Sequence, residues 1–142
     1  MKKLRCVLLV DDHDADNYIH RRLIRKAGIA ERTEVALHGA AALEFLTTKG
    51  PDGTYPRPEL ILLDINMPRM NGWEFLKAYE ALPEDQTAGV VVVMLTTSLN
   101  PDDADRAERI ETIDRFLNKP LTRETLFELL EERFPGRFSP DA

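Results

Sequence analysis

Four stretches of this sequence carry side chains that can do chemistry together. "LLVDDHDAD" (8–16) sets Asp11 and Asp12 side by side behind an apolar run, with Asp14 and Asp16 close after. "LILLD" (60–64) ends in Asp64, "VVVMLTTS" (91–98) ends in Thr96, Thr97 and Ser98, and "FLNKP" (116–120) ends in Lys119-Pro120. Adjacent carboxylates at the end of a buried run repel each other, so a bound cation is the natural reason to keep them. Hard oxygen ligands around an open site suit Mg²⁺, which retains several waters and takes few carboxylates. Thiolate is absent from these stretches and histidine is sparse, which disfavours zinc. Beside a metal, a carboxylate can attack a phosphoryl group. An ammonium and a hydroxyl can then receive the charge on the phosphoryl oxygens.

These residues are far apart in sequence, so the elements between them must bring them together. Four apolar runs, 6–10, 34–37, 59–64 and 90–95, with a weaker fifth at 114–117, are nearly continuous in hydrophobicity. That pattern suits strands covered on both faces, as in a parallel sheet. Helical spacing lies between them. Ile19, Leu23 and Ala27 share a face in 15–27, and Ala42, Leu43 and Leu46 do so in 39–48. Phe75, Leu76, Tyr79 and Leu82 mark 72–82, and Leu126, Phe127, Leu130 and Phe134 mark 122–134. Segment 101–111 opens with Asn100 as N-cap and Pro101 at the first helical position, but offers only Ala104, Ala107 and Ile110 as apolar anchors. Five strand–helix alternations predict a doubly wound α/β sheet with right-handed crossovers. Ligands of such sheets bind beyond the carboxyl ends of the strands, where Asp11, Asp12, Asp64, Thr96, Thr97, Ser98 and Lys119 all fall. The insert 49–58 is a surface loop, and 135–142 is expected to be a flexible tail.

Composition narrows the function classes. The 142 residues make one domain, 43% hydrophobic and 31% charged, which is globular. A net charge of −6 argues against broad binding to nucleic acid or anionic membrane. The single cysteine, Cys6, has no disulfide partner within the chain and points to a cytoplasmic setting, as a small core residue. The first apolar run is too short for a signal peptide and meets aspartates at once, and no stretch has the apolar length of a membrane span.

The quoted stretches, with "LILLDINMPRMNGWEFL" (60–76), closely resemble the receiver domain of bacterial two-component response regulators over about residues 4–134. The resemblance implies a flavodoxin-like five-stranded parallel sheet in the order 2-1-3-4-5 with five flanking helices, the strand order for which the chemotaxis receiver is a standard example. It implies a receiver domain over 1–134. Its site would comprise Asp64 as phosphoacceptor, Asp12 as direct Mg²⁺ ligand, Asp11 acting largely through water, and the backbone carbonyl of Asn66 as the third protein ligand. Mn²⁺ would substitute for Mg²⁺. Lys119 would contact the phosphoryl oxygens, Thr96 would be the switch hydroxyl, Phe116 the aromatic switch, and Asn66 and Ser98 the positions that tune dephosphorylation. The Lys119-Pro120 bond would be cis. Phe116 stands where many relatives carry tyrosine, so readout there would be by packing without an outward hydroxyl.

The implied function is a phosphorylation-activated switch with no enzyme output of its own. It would take a phosphoryl group from a sensor histidine kinase or histidine phosphotransfer protein. It would then change the face formed by the fourth of the five helices, the fifth strand and the fifth helix, to bind a downstream protein or a second copy. No output domain is expected after residue 134. "LTTS" and the proline-bearing insert resemble small receivers encoded with bacteriophytochromes and hybrid kinases. Other readings are a phosphorelay intermediate, a phosphorylation-independent docking module, or a haloacid-dehalogenase-type phosphatase. The phosphatase needs an acid/base Asp where Asn66 stands. A flavodoxin is disfavoured because acids, not a hydroxyl-rich phosphate loop, follow the first strand. Trp73, just past Asp64, is expected to be partly exposed. The three histidines, His13, His20 and His38, are read first as structural or surface residues, with His13 placed to modulate access of metal or phosphodonor.

Overall fold

A computed structural model describes residues 2–87 and 89–138. Its elements are β1 (Val7–Val10), α1 (Asp14–Ala27), β2 (Thr33–Ala36), α2 (Gly39–Thr47), β3 (Leu60–Asp64), α3 (Gly72–Glu80), α4 (Glu84–Thr87), β4 (Val91–Thr96), α5 (Pro101–Glu108), β5 (Ile113–Asn118) and α6 (Arg123–Arg133). The strands form one parallel sheet in the order β2-β1-β3-β4-β5. Among the described residues the helices number six. The extra one, α4, is a single turn in a segment without helical periodicity, held by one buried side chain, Gln86.

Side-chain alternation explains the two cores. Leu8 and Val10, Ile61 and Leu63, and Val92 and Met94 point to one face, where α2, α3 and α5 supply Leu46, Phe75, Leu76, Tyr79 and Ala107. Val7 and Leu9, Leu60 and Leu62, and Val93 and Leu95 point to the other, under α1 and α6 through Ile24, Leu126, Leu129 and Leu130. Burial of each such large side chain contributes about 1.5–3 kcal/mol. β1 and β3 are sealed on both faces, so their carboxyl ends are held rigidly. β5 is a half-buried edge strand whose register shifts against β4 between Val92 and Val93. The Asp114 carboxylate accepts the Val92 N–H at 2.9 Å beside that shift.

Two expectations need correction. Of the expected α1 stripe Ile19–Leu23–Ala27, Leu23 and Ala27 pack against the core but Ile19 does not. Ile19 is 45% exposed, and Asn17, His20 and Ile24 are buried. The polar pair has tertiary partners: Asn17 donates to the Asp11 carbonyl at 2.9 Å, and His20 Nε2 accepts the Leu121 N–H at 3.2 Å. Residues 135–138 are not a loose tail. Phe138 is buried, and the Arg137 guanidinium donates to the Lys2 and Lys3 carbonyls and pairs with Glu59 at 2.9 and 3.1 Å. Residues 139–142 of the expected tail lie outside the described residues. α5 ends at Glu108, shorter than the 101–111 pattern, and buries only Ala107, which matches its thin apolar stripe. Among the described residues no helix is long and apolar enough to cross a membrane.

Candidate phosphoacceptor and metal site

The carboxyl ends of β1, β3, β4 and β5 meet at one edge of the sheet. Asp64 is the last residue of β3 and 3% exposed. Asp11 follows β1, is also buried, and is tied to β2 by its N–H on the Ala36 carbonyl at 3.0 Å. Lys119 follows β5, and its N–H bonds the Thr96 carbonyl at 2.8 Å, which fixes where the side chain starts. The Lys119-Pro120 bond is cis. The Lys119 ammonium is nearly inaccessible and lies 2.7 Å from Asp11 Oδ2, 2.9 Å from Asp16 Oδ2 and 3.2 Å from Asp64 Oδ1. Three donors thus face three carboxylates.

The loop after β3 is shaped by α3. Asn71 caps that helix in a reciprocal box with Glu74. The Gly72 N–H then turns back to the Ile65 carbonyl at 2.8 Å. A Cβ on Gly72 would sit 2.5 Å from the Asp64 carbonyl oxygen, so only glycine lets the helix start pack beneath the aspartate. Asn66, two residues beyond Asp64, is exposed. Thr96 is fully buried while Thr97 is exposed, which separates the two hydroxyls. The Thr96 hydroxyl accepts the Ser98 N–H at 2.9 Å, and the Ser98 hydroxyl donates to Asp103 of α5 at 2.6 Å. Phe116 is half-buried and packs against the core beside α5. Trp73 is buried in the first core, contrary to expectation, and the Arg106 guanidinium of α5 lies 4.5 Å over its ring.

Electrostatics follow from the crowding. Burial, and then the charge of Asp11, push the Asp64 carboxyl above its ordinary range despite Lys119. Burial opposes ionisation of Asp16, but its bond to Lys119 outweighs that and holds it low. For Lys119, burial opposes the charge, and the hydrogen bonds to Asp11 and Asp16 overcome it, so the ammonium is reinforced.

Asp16 belongs to this site although the reading of the strand ends gave it no part, and His13, expected to modulate access of metal or phosphodonor, stands among the carboxylates. Both come from the start of α1, whose first turn folds back over the sheet edge. His13 Nδ1 lies 2.8 Å from Asp11 Oδ1, 3.2 Å from Asp12 Oδ1 and 3.5 Å from Asp64 Oδ2. The density of acids in "DDHDAD" was the available signal. The other two histidines are structural: His38 caps α2 through the Ala41 N–H at 3.1 Å, and His20 holds Leu121.

The donor set fits a divalent cation. Asp12 Oδ1 and Asp64 Oδ2 are buried without a hydrogen-bond partner. One ligand atom from each of Asp11, Asp12, His13 and Asp64 can be chosen with all four within 4.8 Å of one another. Unpaired buried carboxylate oxygens are costly, and a hard cation between them removes that cost.

Comparison with known proteins agrees with this geometry. A family model described as the response regulator receiver domain matches residues 7–131. Response regulator Rcp1 of a Synechocystis species is 32% identical over 127 residues, covering 89% of this chain and 84% of that protein. A solved two-component response regulator from Cytophaga hutchinsonii superposes with a TM-score of 0.82 at 32% identity, over 93% of this chain and 98% of that one. The Mn²⁺-bound form of Rcp1 superposes with a TM-score of 0.67 at 30% identity, over 94% and 96%. Receivers hold a divalent metal in such an acidic pocket, meet histidine kinases or phosphotransfer proteins, and work generally as signalling switches rather than as enzymes. This chain belongs to the response regulator receiver domain family, whose standard function is a phosphorylation-activated switch.

Proposed function

We propose that Asp64 accepts the phosphoryl group, and that the donor is a cytoplasmic phosphohistidine on a sensor kinase or phosphotransfer protein. The observation that carries this is the unequal engagement of its two oxygens: Oδ1 faces Lys119 at 3.2 Å while Oδ2 has no hydrogen-bond partner. Oδ2 is left for the metal ion, and Oδ1, beside the Lys119 ammonium that would receive the phosphoryl oxygens, is the nucleophile. It attacks phosphorus, the N–P bond of the donor breaks, and its electron pair returns to the imidazole nitrogen. Lys119 neutralises the phosphoryl oxygens, and the buried site keeps water out of the way. Asp11, Asp12, Asp64 and the Asn66 carbonyl would hold Mg²⁺, for which Mn²⁺ would substitute; when bound, the ion would offset the charge that builds on the phosphoryl oxygens.

Phosphorylation adds roughly −1.5 to −2 charges at one point. Thr96 then gives its hydroxyl hydrogen to a phosphoryl oxygen and turns from Ser98. The Ser98–Asp103 bond carries that change to α5, and Phe116 packs into the space Thr96 leaves. The surface of α5, β5 and α6 presents the result to a protein partner or a second copy. Asn66 and Ser98 set how long the adduct lasts.

The test is incubation with acetyl phosphate and Mg²⁺, followed by intact mass. One base-labile phosphate is expected, lost in Asp64→Asn and without the metal. An adduct that survives Asp64→Asn overturns the assignment.

A further inference from the structure

The imidazole of His13 sets a nitrogen donor among the oxygens of the acidic pocket, which also holds the buried Lys119 ammonium. Its backbone position is fixed. The His13 N–H donates to Asp11 Oδ1 at 2.9 Å, and its carbonyl accepts the Asn17 N–H at 3.0 Å as α1 begins. Nδ1, rather than the far ring nitrogen, therefore faces the carboxylates at 2.8, 3.2 and 3.5 Å. The side chain is about half-exposed, so it closes the solvent side of a pocket whose floor is Asp11 and Asp64. Two floor and wall atoms, Asp64 Oδ2 and Asp12 Oδ1, are buried and form no hydrogen bond. With Nδ1 included, the four candidate ligand atoms span no more than 4.8 Å. Opposite ligands of an octahedral ion lie about 4.2 Å apart, so these four atoms are close enough together to share one ion.

We propose that His13 is a ligand of the divalent ion and makes the pocket select for nitrogen-preferring transition ions over Mg²⁺. This rests on the metal site proposed above. An all-oxygen site binds Mg²⁺ and Mn²⁺ through charge. An imidazole adds little for Mg²⁺, which prefers oxygen, but strengthens binding in the order Mn²⁺, Co²⁺, Ni²⁺. A strand-end receiver site with a non-ligating third residue would rank these ions less steeply. His13 thus decides which metal loads the switch when several compete.

The test titrates Mg²⁺, Mn²⁺, Co²⁺ and Ni²⁺ calorimetrically into the wild-type chain, His13→Ala, His13→Gln and Asp64→Asn in mildly alkaline buffer. A ¹⁵N-histidine spectrum with Zn²⁺ provides a second readout. His13→Ala is expected to weaken Co²⁺ and Ni²⁺ on the order of tenfold and to leave Mg²⁺ within about twofold, with a shift of the His13 Nδ1 resonance in the wild type. His13→Gln restores bulk and polarity but not the nitrogen, and should behave as alanine does. Uniform weakening of all four ions, or no change in any, overturns the proposal; so does an unshifted Nδ1. If Asp64→Asn abolishes binding while His13→Ala does nothing, only the histidine's part fails. If the wild type binds no divalent ion, the metal site itself fails with it.

Discussion

Replacing Gly72 by alanine probes the support beneath Asp64, the proposed phosphoacceptor, without touching a chemical group. The new Cβ would meet the Asp64 carbonyl oxygen at 2.5 Å, Ile65 Cα at 3.0 Å and the Asp64 carbonyl carbon at 3.3 Å. All three are backbone atoms of a strand end sealed on both faces, so no flexible side chain can yield. Reaching an ordinary contact of about 3.4 Å needs close to 0.9 Å of movement between α3 and the end of β3. Overpacking of this kind costs about 1–3 kcal/mol. Loss of glycine's freedom in the unfolded chain returns about 0.4–1 kcal/mol. The net loss is about 1–2 kcal/mol, or a fall in Tm of roughly 3–7 °C for a domain of this size. Thermal and urea denaturation followed by Trp73 fluorescence measure it. Gly50→Ala is the control: its Cβ meets nothing closer than Asp52 Oδ1 at 3.5 Å, and its stability should stay within about 0.5 kcal/mol of wild type. Movement of Asp64 should also slow phosphorylation by acetyl phosphate. A Gly72→Ala protein as stable as wild type, phosphorylated at the same rate, would refute the claim that this glycine fixes the aspartate.

Two further outcomes follow from the same site. Asp16→Asn removes one of the three carboxylates on the Lys119 ammonium and one negative charge from the pocket rim; divalent-ion affinity should fall a few-fold, for roughly 0.5–1 kcal/mol, and calorimetry showing unchanged affinity would sever Asp16 from the site. His20 is held below its ordinary range by burial and then by Lys119, so the unfolded chain takes up its proton first as pH falls through about 6.5. Its contribution is therefore lost on acidification below that point, by at most about 1.4 kcal/mol per pH unit. His20→Gln keeps an acceptor for the Leu121 N–H without titrating. Its stability should fall less steeply between neutral and mildly acid pH, and parallel curves for the two proteins would count against the assignment.

What the sequence made legible depended on whether a residue's environment was set by its own element. The strands were readable because β1, β3 and β4 are buried on both faces and so cannot hide among polar residues. Once the sheet was inferred, the rule about strand ends located Asp11, Asp64, Thr96 and Lys119 on one edge, and the structure brings Lys119 within bonding distance of both aspartates. The α1 face failed in part, for the opposite reason. Hydrophobic spacing nominated Ile19, but the helix turns Asn17 and His20 inward because Asp11 and Leu121 satisfy them. Neither partner is visible from the helix's own pattern. Trp73 was misjudged likewise, since it packs in the first core with Arg106 of another helix over its ring. The end of the chain misled because its composition, with Pro135 and Gly136, suggests a loose segment, whereas Arg137 finds Glu59 and two carbonyls near the N-terminus.

The same distinction explains why α5 suits the role of the moving part. Its own sequence buries one alanine, so its position must come from contacts made elsewhere. Three are evident: Arg106 on the Trp73 ring, Asp103 on the Ser98 hydroxyl, and Ala107 beside Phe116 in the core. Two of these sit within one or two residues of a group assigned to the switch, since Ser98 bonds Thr96 and Trp73 follows Gly72 beneath Asp64. A helix held mainly by its own apolar stripe would resist small changes at the strand ends. One held by an ion–ring contact and a single hydroxyl bond has a low cost of displacement. Under the function proposed above, events at Asp64 would reach α5 through these short links, and the weakness of its anchoring would let a local change in charge become a change of surface.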